Sequence, residues 1–111
     1  MLTIDWSKQG GWEKPNIIPY GPIKLETSAT VLHYGISAHE AITVCENSKS
    51  HKLQAFRVED HLNQFYLSCE HLDMPTFDTK ELAQCLKSLA VMERKWLVES
   101  SDPDHLFIRV V

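Results

Sequence analysis

Two apolar stripes at helical spacing, separated by a proline, constrain this chain more than any other feature. Leu62, Phe65, Tyr66, Cys69 and Leu72 fall at i, i+3, i+4, i+7 and i+10, one face of a helix that Pro75 keeps from running on. Asp78 then offers an N-cap with Glu81 in the position a capping box requires, and Leu82, Cys85, Leu86, Leu89 and Met92 repeat the spacing. The pattern predicts helices over residues 58–73 and 79–95. Each would carry an apolar face that a second layer has to cover.

Elsewhere the period changes to two, which is what a sheet would show. Leu2, Ile4 and Trp6 alternate with Thr3 and Asp5, so a strand is expected over residues 2–6. Apolar runs around Ile42–Val44 and Leu53–Phe56 flank the polar stretch Glu46–Ser50, which predicts a hairpin of residues 42–46 and 51–56. His105–Val111 is β-branched and apolar on both faces, the mark of a strand, and no turn or polar cap follows it. Such a strand needs a partner or a continuation, so the chain reads like the front portion of something longer. Gly10, Gly11, Pro15, Pro19, Gly21 and Pro22 make residues 7–24 an extended, wrapping lead-in. Residues 30–41 stay open between strand and loop, and Ser100–Asp104 reads as a turn. The fold class expected is α+β: a two-layer domain with a mixed or antiparallel sheet and two packed helices. At 111 residues there is room for one such domain.

Composition removes several functions. Eleven Lys and Arg against fifteen Asp and Glu leave a net charge of −4 with no basic run, so nucleic acid is not an expected partner. Cys45, Cys69 and Cys85 show no C-x-x-C spacing, and the odd number argues against a disulfide framework. Cys69 and Cys85 fall on the helical stripes as core thiols, while Cys45 lies near a hairpin edge. The six histidines form no H-x-x-x-H pair, so no metal site is expected. No phosphate-cradling glycine loop or nucleophile elbow occurs, and no apolar stretch approaches the ~20 residues of a membrane span. The N-terminus carries no targeting pattern, so a cytoplasmic setting is expected, or a mitochondrial one if a transit peptide precedes the chain. These arguments alone reach a globular α+β domain and no activity.

Several short motifs carry a resemblance. Met1–Trp6, then Gly11-Trp12-Glu13-Lys14-Pro15 and Ile18-Pro19, are followed by Leu32-His33-Tyr34 and Glu40. Phe56-Arg57, Leu62-Asn63, Ser68, Leu72, Pro75, Phe77-Asp78 and Glu81-Leu82 come next, and Trp96 and Leu106-Phe107-Ile108-Arg109 close the series. In this order the chain resembles the branched-chain aminotransferases, pyridoxal-phosphate enzymes of aminotransferase class IV, and residues 1–111 resemble part of their small N-terminal domain.

The resemblance implies amino transfer between leucine, isoleucine or valine and 2-oxoglutarate, pyridoxal 5'-phosphate as cofactor, and a homodimer at full length. It places Tyr34 as a substrate-pocket tyrosine and Arg109 as the arginine that recognises a distal carboxylate, a task suited to the guanidinium fork. Phe107 stands on the pocket wall where the family has tyrosine. Gln64 occupies the place of the family's phosphate-binding arginine, and a neutral amide cannot balance a phosphate dianion. His39, Ala41 and Val110 replace a phenylalanine, a glycine and a proline. No lysine of the chain sits in the context of the Schiff-base lysine, so no catalytic residue is assigned and the chain alone is expected to be inactive. The alternative is a diverged, non-catalytic domain that serves protein association.

Overall fold

A computed structural model describes residues 1–98 and 105–111. Seven strands and four helices follow in the order β1 (Leu2–Thr3), β2 (Trp6–Ser7), β3 (Gly11–Trp12), β4 (Asn16–Ile17), α1 (Thr30–Tyr34), β5 (Glu40–Glu46), β6 (Leu53–Ala55), α2 (Val58–His71), α3 (Thr79–Met92), α4 (Lys95–Val98) and β7 (His105–Val110) among these residues. The fold is α+β, as its change of hydrophobic period implies.

The main sheet has the order β6-β5-β7, antiparallel throughout. The hairpin pairs Val44 with Ala55 and Glu46 with Leu53. Its turn is built by Asn47, whose Oδ1 accepts from the backbone N–H groups of Lys49 and Ser50, an Asx-type arrangement. β7 lies on the other side of β5 with Glu40 opposite Val110 and Cys45 opposite His105.

Helices α2 and α3 cover one face of this sheet. Ile42, Leu62 and Leu86, one residue from each element, form a buried cluster against which Leu2, Val58, Ile108 and Val110 pack. A second cluster holds Ala38, Phe65 and Cys69 with Met74, Phe77 and Leu82. The predicted stripe on α2 is thus realised in Leu62, Phe65 and Cys69, while Leu72 is largely exposed. At the start of α3, Asp78 Oδ1 accepts from the N–H groups of Lys80 and Glu81, satisfying two of the orphan donors of the first turn.

Three expectations change. Residues 2–6 do not form one strand of the main sheet: β1 pairs with β4, and β2 with β3, as two small antiparallel ladders. Ile4 and Asp5 fall between them, because the lead-in folds back on the N-terminus through Glu13 N–H to Asp5 C=O and Ile18 N–H to Met1 C=O. Within residues 30–41 the chain makes one short helix, α1, ended by Gly35 at φ 64°, a left-handed C-cap for which glycine has the freedom. The second long helix stops at Met92 and resumes as α4, with Trp96 N–H bonding Glu93 C=O in the interruption. The turn expected at Ser100–Asp104 lies outside the described residues.

Candidate functional site

Strand alternation decides what the sheet presents on its uncovered side. In β5, Ile42 and Val44 are buried toward the helices, which turns Ala41, Thr43 and Cys45 outward. In β7, Leu106, Ile108 and Val110 are half-buried while His105, Phe107 and Arg109 are exposed. Antiparallel pairing sets Ala41 against Arg109, Thr43 against Phe107 and Cys45 against His105, one row of cross-strand pairs on a single face. Phe107 is 75% exposed, with the His105 ring stacked beside it at 6.5 Å.

Phe107 and Arg109 therefore stand on the same face of β7. Tyr34 is apart from them in secondary structure, at the end of α1, with 78% of its surface open to solvent. Its neighbour His33 is fixed by Nε2 donating to the Thr27 carbonyl at 2.7 Å. Gln64 belongs to the other layer, on the exposed side of α2. There it borders an open groove of about 420 Å³ that Ser37, Ala38, His39, Leu67, Ser68, His71 and Leu72 complete.

One segment joins these places. It leaves Tyr34 at the end of α1, forms the groove wall with residues 37–39, and enters β5 so that Ala41 faces Arg109. Glu40, at the start of β5, points to the helical layer, where its Oε1 lies 3.3 Å from His61 Nδ1 and accepts from the Ala41 N–H. That contact fastens the segment to α2, three residues before Gln64.

Sequence reasoning overlooked a polar group at the far end of β5. Glu46 accepts from Arg94 Nε at 3.0 Å and Nη2 at 2.9 Å, and from His51 Nδ1 at 3.1 Å. The Arg94 guanidinium, opposed by partial burial and assisted by His51, holds the Glu46 carboxyl below the usual carboxylate range. Arg94 also donates to the His51 carbonyl at 2.8 Å, and His51 sits at φ 52°. The only hint in the sequence is the exchange of Glu46 and His51 across a tight turn; Arg94 comes from a distant helix end. Burial pushes the Cys69 thiol up, consistent with a core thiol.

Pyridoxal phosphate, implied by the resemblance, does not find its full complement in these residues. Among the described residues, no Lys or Arg lines the groove beside Gln64 to meet a phosphate. Among the described residues no group of three or more His, Cys, Asp or Glu is placed to hold a metal ion. Nor is any described helix long and apolar enough to cross a membrane.

The fold and its exposed row define a two-layer α+β domain with an arginine and an aromatic ring presented on an open sheet face. No family model matches the chain. Over 109 residues it is 32% identical to the cytosolic branched-chain-amino-acid aminotransferase of Mus musculus, covering 98% of this chain and 28% of that protein. It is 34% identical over 109 residues to a probable branched-chain-amino-acid aminotransferase of Staphylococcus aureus strain N315, covering 98% and 30%. Branched-chain-amino-acid transaminase 1 of Bacillus subtilis strain 168 is 30% identical over the same length, again covering 98% and 30%. Over nearly its whole length the chain is thus related in sequence to the branched-chain-amino-acid aminotransferases. It spans less than a third of the length of these curated relatives.

Proposed function

We propose that this chain is the small-domain part of a branched-chain aminotransferase-like protein, and that its open sheet face forms one wall of the substrate site. The observation that carries the reading is the segment from Tyr34 to Ala41, which runs from Tyr34 past the groove that Gln64 borders to the strand position opposite Arg109. On this reading Phe107 and Tyr34 contact the apolar side chain of leucine, isoleucine or valine, and Arg109 takes the distal carboxylate of 2-oxoglutarate by a bidentate, charge-assisted pair. Arginine suits that role better than lysine because its planar fork matches a carboxylate. Amino transfer itself belongs to the whole protein, and this chain mixed with pyridoxal phosphate, leucine and 2-oxoglutarate is expected to form no glutamate above the cofactor-only control. A homodimer and a cytosolic location, the latter named for the mouse relative, go with the same reading.

A chimera tests it. The chain replaces the matching 109 residues of the Staphylococcus aureus relative, with Gln64 or with arginine in its place, and leucine-dependent glutamate formation is followed at saturating cofactor. Arg109→Ala is expected to raise KM for 2-oxoglutarate about tenfold or more while KM for leucine stays within about twofold, since one charge-assisted contact is removed. A folded, active chimera indifferent to Arg109, Phe107 and Tyr34 overturns the assignment.

A second reading, a non-catalytic domain used in association, draws on the missing phosphate partner and on the large exposed rings of Phe107 and Tyr20. Under it, sedimentation across a concentration series shows self-association that Phe107→Ser abolishes.

A further inference from the structure

We infer that position 64 sets the charge class of the group that the α2 groove accepts: with glutamine it turns phosphate away, and a single arginine there would admit it. The inference rests on the aminotransferase reading for its choice of ligand, but its physical basis is the groove itself. Room is not the obstacle, because about 420 Å³ of open space holds a phosphate several times over.

Charge is the obstacle. Among the described residues the polar lining consists of Ser37, His39, Gln64, Ser68 and His71, without a fixed cation. Helix α2 carries Glu59, Asp60 and Glu70 and neither Lys nor Arg from Val58 to His71, so the element bordering the groove adds negative potential. Arg57, at the N-cap of α2, is held by Asp60, its Nε donating to Oδ2 at 2.6 Å. Ser68 Oγ donates its proton to the Gln64 carbonyl at 2.9 Å and so offers a ligand an acceptor instead of a donor.

What remains for an anion is the Gln64 amide and the two imidazoles. A phosphate monoester near neutral pH carries roughly −1.5 to −2 charges, and neutral donors give bonds about half as strong as charge-assisted ones. Gln64 is exposed on the groove rim, where a longer side chain has room. The exchange therefore adds a forked cation at the rim of a groove that has room for the anion.

Backbone and side-chain amide spectra of the full 111-residue chain, titrated with inorganic phosphate, decide the matter. Wild type is expected to show no saturable shifts at residues 39, 64 and 68. Gln64→Arg is expected to show them, with binding about tenfold to a hundredfold tighter than in wild type and weakened by salt. Gln64→Lys serves as the second variant, with a smaller gain, and spectral dispersion reports that each variant is folded. Saturable shifts at these residues in wild type overturn the inference and leave the aminotransferase reading intact. Folded arginine and lysine variants that both stay silent overturn it too, and they also remove this groove from any phosphate-holding role.

Discussion

Leu62→Ala is the sharpest test of how the two layers are joined. Leu62 is 1% exposed and packs in one cluster with Ile42 of the sheet and Leu86 of the neighbouring helix, so the leucine joins the sheet to both long helices. Truncating a fully buried leucine removes its transfer free energy and leaves a cavity, together about 3 to 5 kcal/mol where neighbours on different elements cannot collapse inward. A domain of this size is stable by about 5 to 15 kcal/mol in total, so a large share would be lost, with a fall in melting temperature of roughly 10 to 20 °C. Leu67, on the same helix and 54% exposed, supplies the control. Leu67→Ala should change stability by no more than about 0.5 kcal/mol, because alanine has the better helix propensity and little apolar contact is lost. Urea unfolding followed by circular dichroism measures both, and an unchanged denaturant slope shows that the comparison is between like transitions. A loss below about 1 kcal/mol for Leu62→Ala, or equal losses at both positions, refutes the packing argument.

Three further outcomes are expected. The Glu46 carboxyl titrates lower when folded than its ordinary value of 4.5, so its contribution is present above that pH and disappears as pH falls through the lower folded value; the urea midpoints of wild type and Glu46→Gln should differ at pH 7 and converge in acid, and a difference that persists or widens in acid would contradict this. Asp78→Ala should cost about 1 kcal/mol by uncapping α3, seen as a lower urea midpoint that Asp78→Ser largely restores. Trp12→Phe keeps a ring near Phe77 but removes the indole N–H that donates to the Thr76 carbonyl at 2.7 Å, so amide exchange in the β2–β3 ladder should quicken while α2 and α3 keep their protection.

What could be read from the sequence is what local periodicity records. The stripes through Leu62, Phe65 and Cys69 and through Leu82 and Leu86 report a face pressed on a sheet, whereas β7 is legible as a strand but, being apolar on both faces, does not tell which side Phe107 and Arg109 take. Asp78 likewise announces its cap. The N-terminal residues misled because Leu2, Ile4 and Trp6 alternate as one strand would, while their actual partners, Ile17 and Trp12, are chosen by the fold-back of the lead-in. The interruption of the second long helix was hidden for a similar reason: the stop follows Met92, and the Arg94 just beyond it reaches Glu46 across the molecule. The groove beside Gln64 joins residues 37–39 to residues 64–72, a juxtaposition no spacing rule expresses.

The pairing of β7 with β5 has a consequence for time rather than for geometry. The β5–β6 hairpin and the α2–α3 pair are built from near neighbours in the chain, and elements of that kind form in microseconds. The third strand is different, for Glu40 meets Val110 only after the intervening hairpin and helices have been made or bypassed, and closing so long a loop is entropically costly before any ladder bond rewards it. Until then the outer edge of β5 is a bare ladder, open to whatever strand arrives first. The row of Ala41, Thr43 and Cys45 facing Arg109, Phe107 and His105 is therefore the last part of the sheet to be assembled, and the part most exposed to competition while the chain is still folding.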